Sequence, residues 1–195
     1  MNNIDFSSPA VIIGIAVAVL LIAAVIGLFV NLEKKRSERL RSRFGAEYDL
    51  TLKRMGSRKK AEEVLNGRIE RIEHSKIHDL TLAQYDSYLL AWEVVQSRFI
   101  DYPRRAVAEA DALVNSLLMA RGFPPGDFDQ RAADISVNHA MLVEPYRRAH
   151  LTAARAKHNQ AMTEELRSAV IQYRTLFDAL LETSTAPIQQ QRKSA

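Results

Sequence analysis

Cysteine is absent from this chain of 195 residues, so neither disulfide bonds nor thiolate chemistry are open to it. Glycine is scarce, and none of the seven glycines falls in a G-x-G-x-x-G turn, a Walker loop or a G-x-S-x-G elbow. Enzymes that depend on those motifs are therefore excluded. The hydrophobic content of 47% and the charged content of 26% also exclude a collagenous or wholly disordered chain, and the length suits one domain.

The longest segment without a charged or hydrogen-bonding side chain covers residues 9–30 and reads PAVIIGIAVAVLLIAAVIGLFV. At about 1.5 Å per residue, a helix of this length covers roughly 33 Å, close to the hydrocarbon layer of about 30 Å. We therefore expect one transmembrane helix at 9–30, after a short extracytoplasmic tail at 1–8. A cleaved signal peptide is the alternative, but residues 1–8 contain no Lys or Arg and the apolar run exceeds the usual signal length.

Basic residues are concentrated directly after the apolar run. The formal charge is −1 over residues 1–30, +7 over 31–60 and −2 over 61–195. Because positive flanks stay in the cytoplasm, we expect a single-pass protein of the plasma (inner) membrane with its N-terminus outside and its C-terminal domain cytoplasmic. The basic side chains of a polar stalk at 31–43 are expected to lie at the lipid headgroups: Lys34, Lys35, Arg36, Arg39, Arg41 and Arg43.

The body of the chain is predicted to be all-α. Beyond the stalk, apolar residues recur at intervals of three and four, without the alternation typical of strands. Amphipathic helices must bury their apolar stripes against one another, which predicts a compact multi-helix bundle over residues 44–182. The polar segment 183–195 is predicted to be a disordered tail.

Local signals predict where several of these helices begin and end. Thr81 and Gln84 have the spacing of a capping box, and Pro103 is typical of a first helical position. Gly122 predicts a helix end before two prolines. Asp127 predicts a helix start, and a second cap at Asn138 predicts that two separate helices follow one another there.

Two sets of side chains are weak metal-ligand candidates. The first is Glu70, His74 and His78, whose four-residue spacing would place a carboxylate and two imidazoles on one helical face. The usual H-E-x-x-H order is absent, so an exposed helix end is the simpler interpretation. We assign no metal, cofactor or catalytic residue from this pattern.

The second set lies in the segment PPGDFDQRAADIS and directly after it, at Asp127, Asp129, Asp134 and His139. Helix capping and the helix dipole account for most of these carboxylates, and the glycine and glutamate positions of an EF-hand are missing. Further along, Tyr146, Arg147, Arg148 and His150 have side chains that could together bind an anion, although a solvated basic helix face is the expected structure.

The body resembles a set of uncharacterised bacterial proteins that carry an N-terminal membrane or signal-like segment. The resemblance covers roughly residues 44–182 and is carried by WEVVQSRFIDYPRRAVAEADALV and RGFPPGDFDQRAADISVNHAMLVEPYRRAH. It implies a small helical domain in a bacterial membrane setting and supplies no activity. The pattern of that group places a proline where this chain has Ala140, and here Pro145 comes later.

These observations lead to two functional hypotheses. The first is a membrane-anchored scaffold or adaptor whose helical bundle binds another protein or itself, with the lipid bilayer as its second partner. The basic stretch has no interleaved aromatic residues and the remaining body is slightly acidic, so no nucleic-acid partner is expected. The alternative is a membrane-tethered domain that senses a small ligand or metal through one of the two weak candidate sets. No catalytic motif supports an enzyme.

Overall fold

The computed structural model describes the backbone of residues 9–182 and the side chains from residue 20 onward. All regular elements in this range are α-helices, which confirms the all-α prediction. The predicted tails at 1–8 and 183–195 lie outside the described residues. The helices are α1 (Pro9–Phe44), α2 (Ala46–Met55), α3 (Arg58–Glu73), α4 (Leu82–Asp101), α5 (Pro103–Ala120), α6 (Phe128–Lys157) and α7 (Thr163–Glu182).

The chain divides into two compact units with a boundary between Ser42 and Arg43. The first unit contains nearly all of α1, a continuous helix of 36 residues. Across the described part of the chain, every helix falls short of the combined length and apolar content that crossing a bilayer requires. The second unit contains helices α2 to α7.

Helices α4, α5, α6 and α7 pack together in the second unit, and α3 packs against both α2 and α6. The centre of the core is aromatic, because the ring of Trp92 lies 4.8 Å from that of Phe177 and Tyr146 meets Tyr173 edge to face at 6.1 Å. All four side chains are completely buried. Burial of rings of this size contributes much of the apolar stabilisation of a small bundle.

Several helix ends lie where the sequence places them. The hydroxyl of Thr81 accepts a hydrogen bond from the Gln84 amide, and the Gln84 side chain accepts one from the Thr81 amide, so the capping box is confirmed. Pro103 is the first residue of α5. Gly122 has a φ of +80°, which favours glycine and ends the helix.

Residues 128–157 agree with the expectation of two successive helices. The segment α6 consists of two helical stretches that meet at a kink at His139, where φ is −133° and ψ is 49°. The break lies one residue after the predicted cap at Asn138. One residue is enough to redirect the chain, and the two arms of α6 continue on either side of this kink with Pro145 inside the second arm.

Candidate functional site

A cavity of about 180 Å³ lies between the end of α5 and the start of α6, and we call it the α5–α6 cavity. Its floor is buried, whereas Met119, Pro125 and Gly126 are exposed at its rim. Most of the surface that it offers is apolar. The lining residues are Asn115, Leu118, Met119, Phe123, Pro124, Pro125, Gly126, Arg131 and Asp134.

The cavity follows from how α5 ends. The amide of Phe123 donates to the Leu118 carbonyl at 3.0 Å and the amide of Gly122 donates to the Met119 carbonyl at 2.9 Å. This pair of bonds is a Schellman motif, which turns the chain back across the last helical turn and brings its apolar residues together. Phe123 is therefore only 8% exposed.

The segment that follows closes the other side of the cavity. Pro124 and Pro125 have no amide hydrogen to continue a helix, so the chain remains extended until Asp127. The Asp127 carboxylate accepts a hydrogen bond from the Gln130 amide at 2.8 Å and begins α6. Its predicted role as a helix cap is confirmed.

Two charged side chains of α6, Arg131 and Asp134, also line the cavity, and we call the part of its wall that they form the polar end. Nη1 of Arg131 donates to the Gly126 carbonyl at 2.7 Å, while its Nε is buried without a hydrogen-bond partner. Asp134 is only 1% exposed, and its carboxylate accepts from Nε2 of Gln130 at 2.9 Å and from Nε of Arg71 at 3.3 Å. The Asp134 carboxylate is thus satisfied by the protein, whereas the Nε donor of Arg131 is enclosed without an acceptor.

Further polar groups lie next to the residues that line the cavity. The Tyr146 hydroxyl donates to Oδ1 of Asn115, which lines the cavity, at 3.4 Å. The Tyr173 hydroxyl donates to Oδ1 of Asp111 at 3.0 Å, and Nδ1 of His150 lies 3.5 Å from the same oxygen. Burial raises the pKa of both tyrosines, so their hydroxyls remain protonated and act as donors.

The acidic candidates Asp127, Asp129 and Asp134 do not form one site with His139. Asp127 caps the helix, Asp129 is exposed in its first turn, and Asp134 is buried against Arg71. Burial, together with the nearby charge of Arg121, lowers the pKa of His139 and favours its neutral form. Only Asp134 of this set lines the α5–α6 cavity.

Glu70, His74 and His78 do not share the helical face that their spacing indicates. Helix α3 ends at Glu73, so His78 lies beyond it in the connection to α4. The Nδ1 atoms of the two histidines hydrogen-bond to local carbonyls, that of Glu70 for His74 and that of Lys76 for His78. Among the described residues, no three His, Asp or Glu side chains are grouped so that they could hold a metal ion.

The residues from Tyr146 to His150 differ from the solvated basic face expected of them. Tyr146 is fully buried, and Arg147 forms an ion pair with Glu47 at 3.0 Å. Only Arg148 fits the expectation, being more than half exposed beside Glu144. The rings of Tyr146 and His150 both pack against Phe128, whereas Arg147 and Arg148 pair with different glutamates, so the four side chains do not form one anion site.

A buried ionic group between α2, α3 and α6 has no counterpart in the sequence analysis. Oε1 of Glu47 accepts hydrogen bonds from Nη1 of Arg68 at 2.9 Å and from Nη2 of Arg147 at 3.0 Å. Glu47 is 5% exposed, and we call these three residues the Glu47 triad. No pattern of neighbouring residues in the sequence indicates the Glu47 triad or the position of Arg131 at the cavity. The prolines and the glycine at Pro124–Gly126 do indicate the loop beside the cavity.

Comparisons with family models, with curated proteins and with solved structures find no match to this chain.

Proposed function

We propose that this chain is a membrane-attached helical domain that binds a small ligand in the α5–α6 cavity. The observation that carries the proposal is the cavity itself, a mostly apolar space with Arg131 and Asp134 among its lining residues. Small-molecule sites in proteins are concave and mostly apolar, with a few polar groups that fix the orientation of the ligand. The segment from Asp127 to His139, which the ligand-sensing hypothesis named, contributes both charged residues.

Ligand binding can be tested with benzyl alcohol, a neutral molecule with a single ring. We expect it to shift the methyl NMR resonance of Met119 until the signal saturates, because this side chain lines the cavity. Met141 serves as the internal control, since its side chain is 82% exposed and is not among the lining residues. The measurement uses the full-length chain in detergent micelles with carbon-13 in the methionine methyl groups. Equal or non-saturating shifts at both methionines would indicate partition into the micelle and contradict the proposal.

Membrane attachment is the second part of the proposal, and it is supported by the apolar surface of α1. Residues 20–30 include large apolar side chains that are all exposed, among them Leu20, Leu21, Ile26 and Phe29. A continuous apolar surface of this kind is unfavourable in water. The uncharged run extends in the sequence from residue 30 back to residue 9, so we propose that residues 9–30 are the membrane-spanning segment.

The orientation of this segment can be tested by neutralising the basic stalk. Reporters fused at each end are expected to place the N-terminus outside and the C-terminus in the cytoplasm, and glutamine at the stalk positions should produce a mixed orientation, because positive flanks hold the cytoplasmic side. Arg43 is kept, since its Nε donates to the Val137 carbonyl at 3.1 Å. The substituted positions are Lys34, Lys35, Arg36, Arg39 and Arg41.

A matched control uses five exposed basic residues farther from the apolar run: Lys53, Arg54, Arg58, Lys59 and Lys60. They lie beyond the roughly 15 to 20 residues that govern orientation, so glutamine at these positions should leave the topology unchanged. Recovery of the unaltered protein outside the membrane fraction would contradict the attachment proposal.

Binding of another protein is the second candidate function, and a groove between α4 and α5 favours it. The groove is lined mainly by small or apolar side chains, including Ala91, Val94 and Leu113. Val94 is 49% exposed, and Leu90 on the preceding turn of α4 is 62% exposed. A scaffold or adaptor would cover these side chains with a partner protein or with a second copy of this chain.

A further inference from the structure

The size of the α5–α6 cavity limits what it can hold. Its volume is about 180 Å³, and an apolar protein cavity of roughly 150 Å³ is known to accept one benzene molecule. A single ring with one short substituent therefore fits, whereas a peptide or a nucleotide does not. The apolar wall formed by Leu118, Phe123 and Pro124 suits the ring.

The polar end of the cavity favours an anion over a cation. Asp134 already accepts hydrogen bonds from Gln130 and Arg71, so its carboxylate is compensated by the protein. Arg131 lines the cavity beside the Tyr146 hydroxyl and has no carboxylate partner among the described ion pairs. The two charged residues that line the cavity, Arg131 and Asp134, sum to zero, so the preference rests on which of the two already has a partner and not on net charge. A guanidinium without a carboxylate partner attracts an anion and can donate a charge-assisted hydrogen bond to a carboxylate.

We propose that the α5–α6 cavity binds a small monocarboxylate whose apolar part is about the size of one benzene ring. This inference rests on the proposed ligand-binding function and adds the chemical class of the ligand. The ring would occupy the space above Leu118 and Phe123, and the carboxylate would lie at the guanidinium of Arg131. Tyr146 and Asn115 would keep that end of the cavity polar through their mutual hydrogen bond.

Three probes of equal ring size and different charge test this inference: benzoate, benzyl alcohol and benzylamine. Binding to the full-length chain in detergent at neutral pH is followed by the Met119 methyl resonance. We expect benzoate to bind about tenfold more tightly than benzyl alcohol, as one charge-assisted hydrogen bond would produce, and benzylamine to bind least. Equal or tighter binding of benzyl alcohol or benzylamine overturns the monocarboxylate inference and leaves the ligand-binding function standing. Absence of binding by all three probes overturns both.

Variants at Arg131 test whether this side chain causes the preference for benzoate over benzyl alcohol. Arg131→Gln is expected to lower the affinity for benzoate about tenfold and to leave that for benzyl alcohol unchanged, which also shows that the cavity is intact. Arg131→Lys keeps the positive charge but lacks the planar guanidinium group, so it should retain part of the preference for benzoate. Arg148→Gln is the matched control, because Arg148 lies on the same helix, is 54% exposed and pairs with Glu144. An unchanged preference for benzoate in Arg131→Gln would overturn the inference.

Discussion

Replacing Glu47 with alanine is expected to lower the free energy of unfolding by about 3 to 5 kcal/mol, the usual cost of removing one partner from a buried ion pair. Arg68 and Arg147 are 11% and 18% exposed, and both donate to the same carboxylate oxygen. Without that oxygen, two adjacent guanidinium groups would remain in a low-dielectric environment without their counter-ion. Arg68 would keep only Ser136 Oγ, at 3.2 Å, among its described acceptors.

Urea unfolding followed by Trp92 fluorescence would measure this loss, because the chain has one tryptophan and it is completely buried. Glu144→Ala is the matched control. Glu144 is 56% exposed and pairs with Arg148 at 3.4 Å, so its removal should cost less than about 1 kcal/mol. If Glu47→Ala were no more costly than this control, the triad would not stabilise the contact between α2, α3 and α6. Simultaneous replacement of all three triad residues by methionine should restore much of the stability, because no unpaired charge is then buried.

Replacing Gly122 with alanine is expected to destabilise the bundle by about 2 to 4 kcal/mol, from the left-handed backbone and from overpacking together. Its φ is +80°, and an added Cβ would lie 2.3 Å from the carbonyl oxygen of Lys76. The His78 amide donates to the Arg121 carbonyl at 3.0 Å, which holds the two segments close together. Neither segment can therefore move aside without losing that hydrogen bond.

Gly67→Ala provides a control of the opposite sign. Gly67 lies inside α3, and an added Cβ would meet no heavy atom within 4 Å. Alanine there should raise the free energy of unfolding by about 1 kcal/mol, because glycine is a poor helix former. Thermal unfolding of Gly122→Ala and Gly67→Ala, each compared with the parent chain, would check that the first variant is less stable and the second more stable. A neutral Gly122→Ala would mean that the turn after α5 relaxes without strain.

Local sequence signals predicted the helices and several of their ends correctly. The Thr81–Gln84 capping box, Pro103, Gly122 and the Asp127 cap act over one helical turn, so their effect can be read from neighbouring residues alone. The predicted burial of apolar residues that recur at helical spacing is confirmed in α7, where Leu166, Tyr173, Phe177 and Leu180 are all buried.

Errors arose where a contact between distant residues overrode a local pattern. The histidine spacing after Glu70 indicated one helical face, yet the chain leaves the helix at Glu73 and packs the following segment against the end of α5. There the packing of distant segments fixes the backbone more strongly than the spacing of the residues does. In α6 the predicted division into two helices was correct, and the break at His139 lies one residue after the predicted cap at Asn138.

The sequence by itself determined the helical class, the concentration of positive charge after residues 9–30 and the positions where α4, α5 and α6 begin. Each of these depends on composition or on residues within about one turn. The tertiary structure decided the Glu47 triad and the α5–α6 cavity. Arg147 and Glu47 are 100 positions apart, and Asn115 and Arg131 meet only because α5 packs against α6. A helical stripe specifies which side of a helix is buried, but only packing selects the helix that covers it.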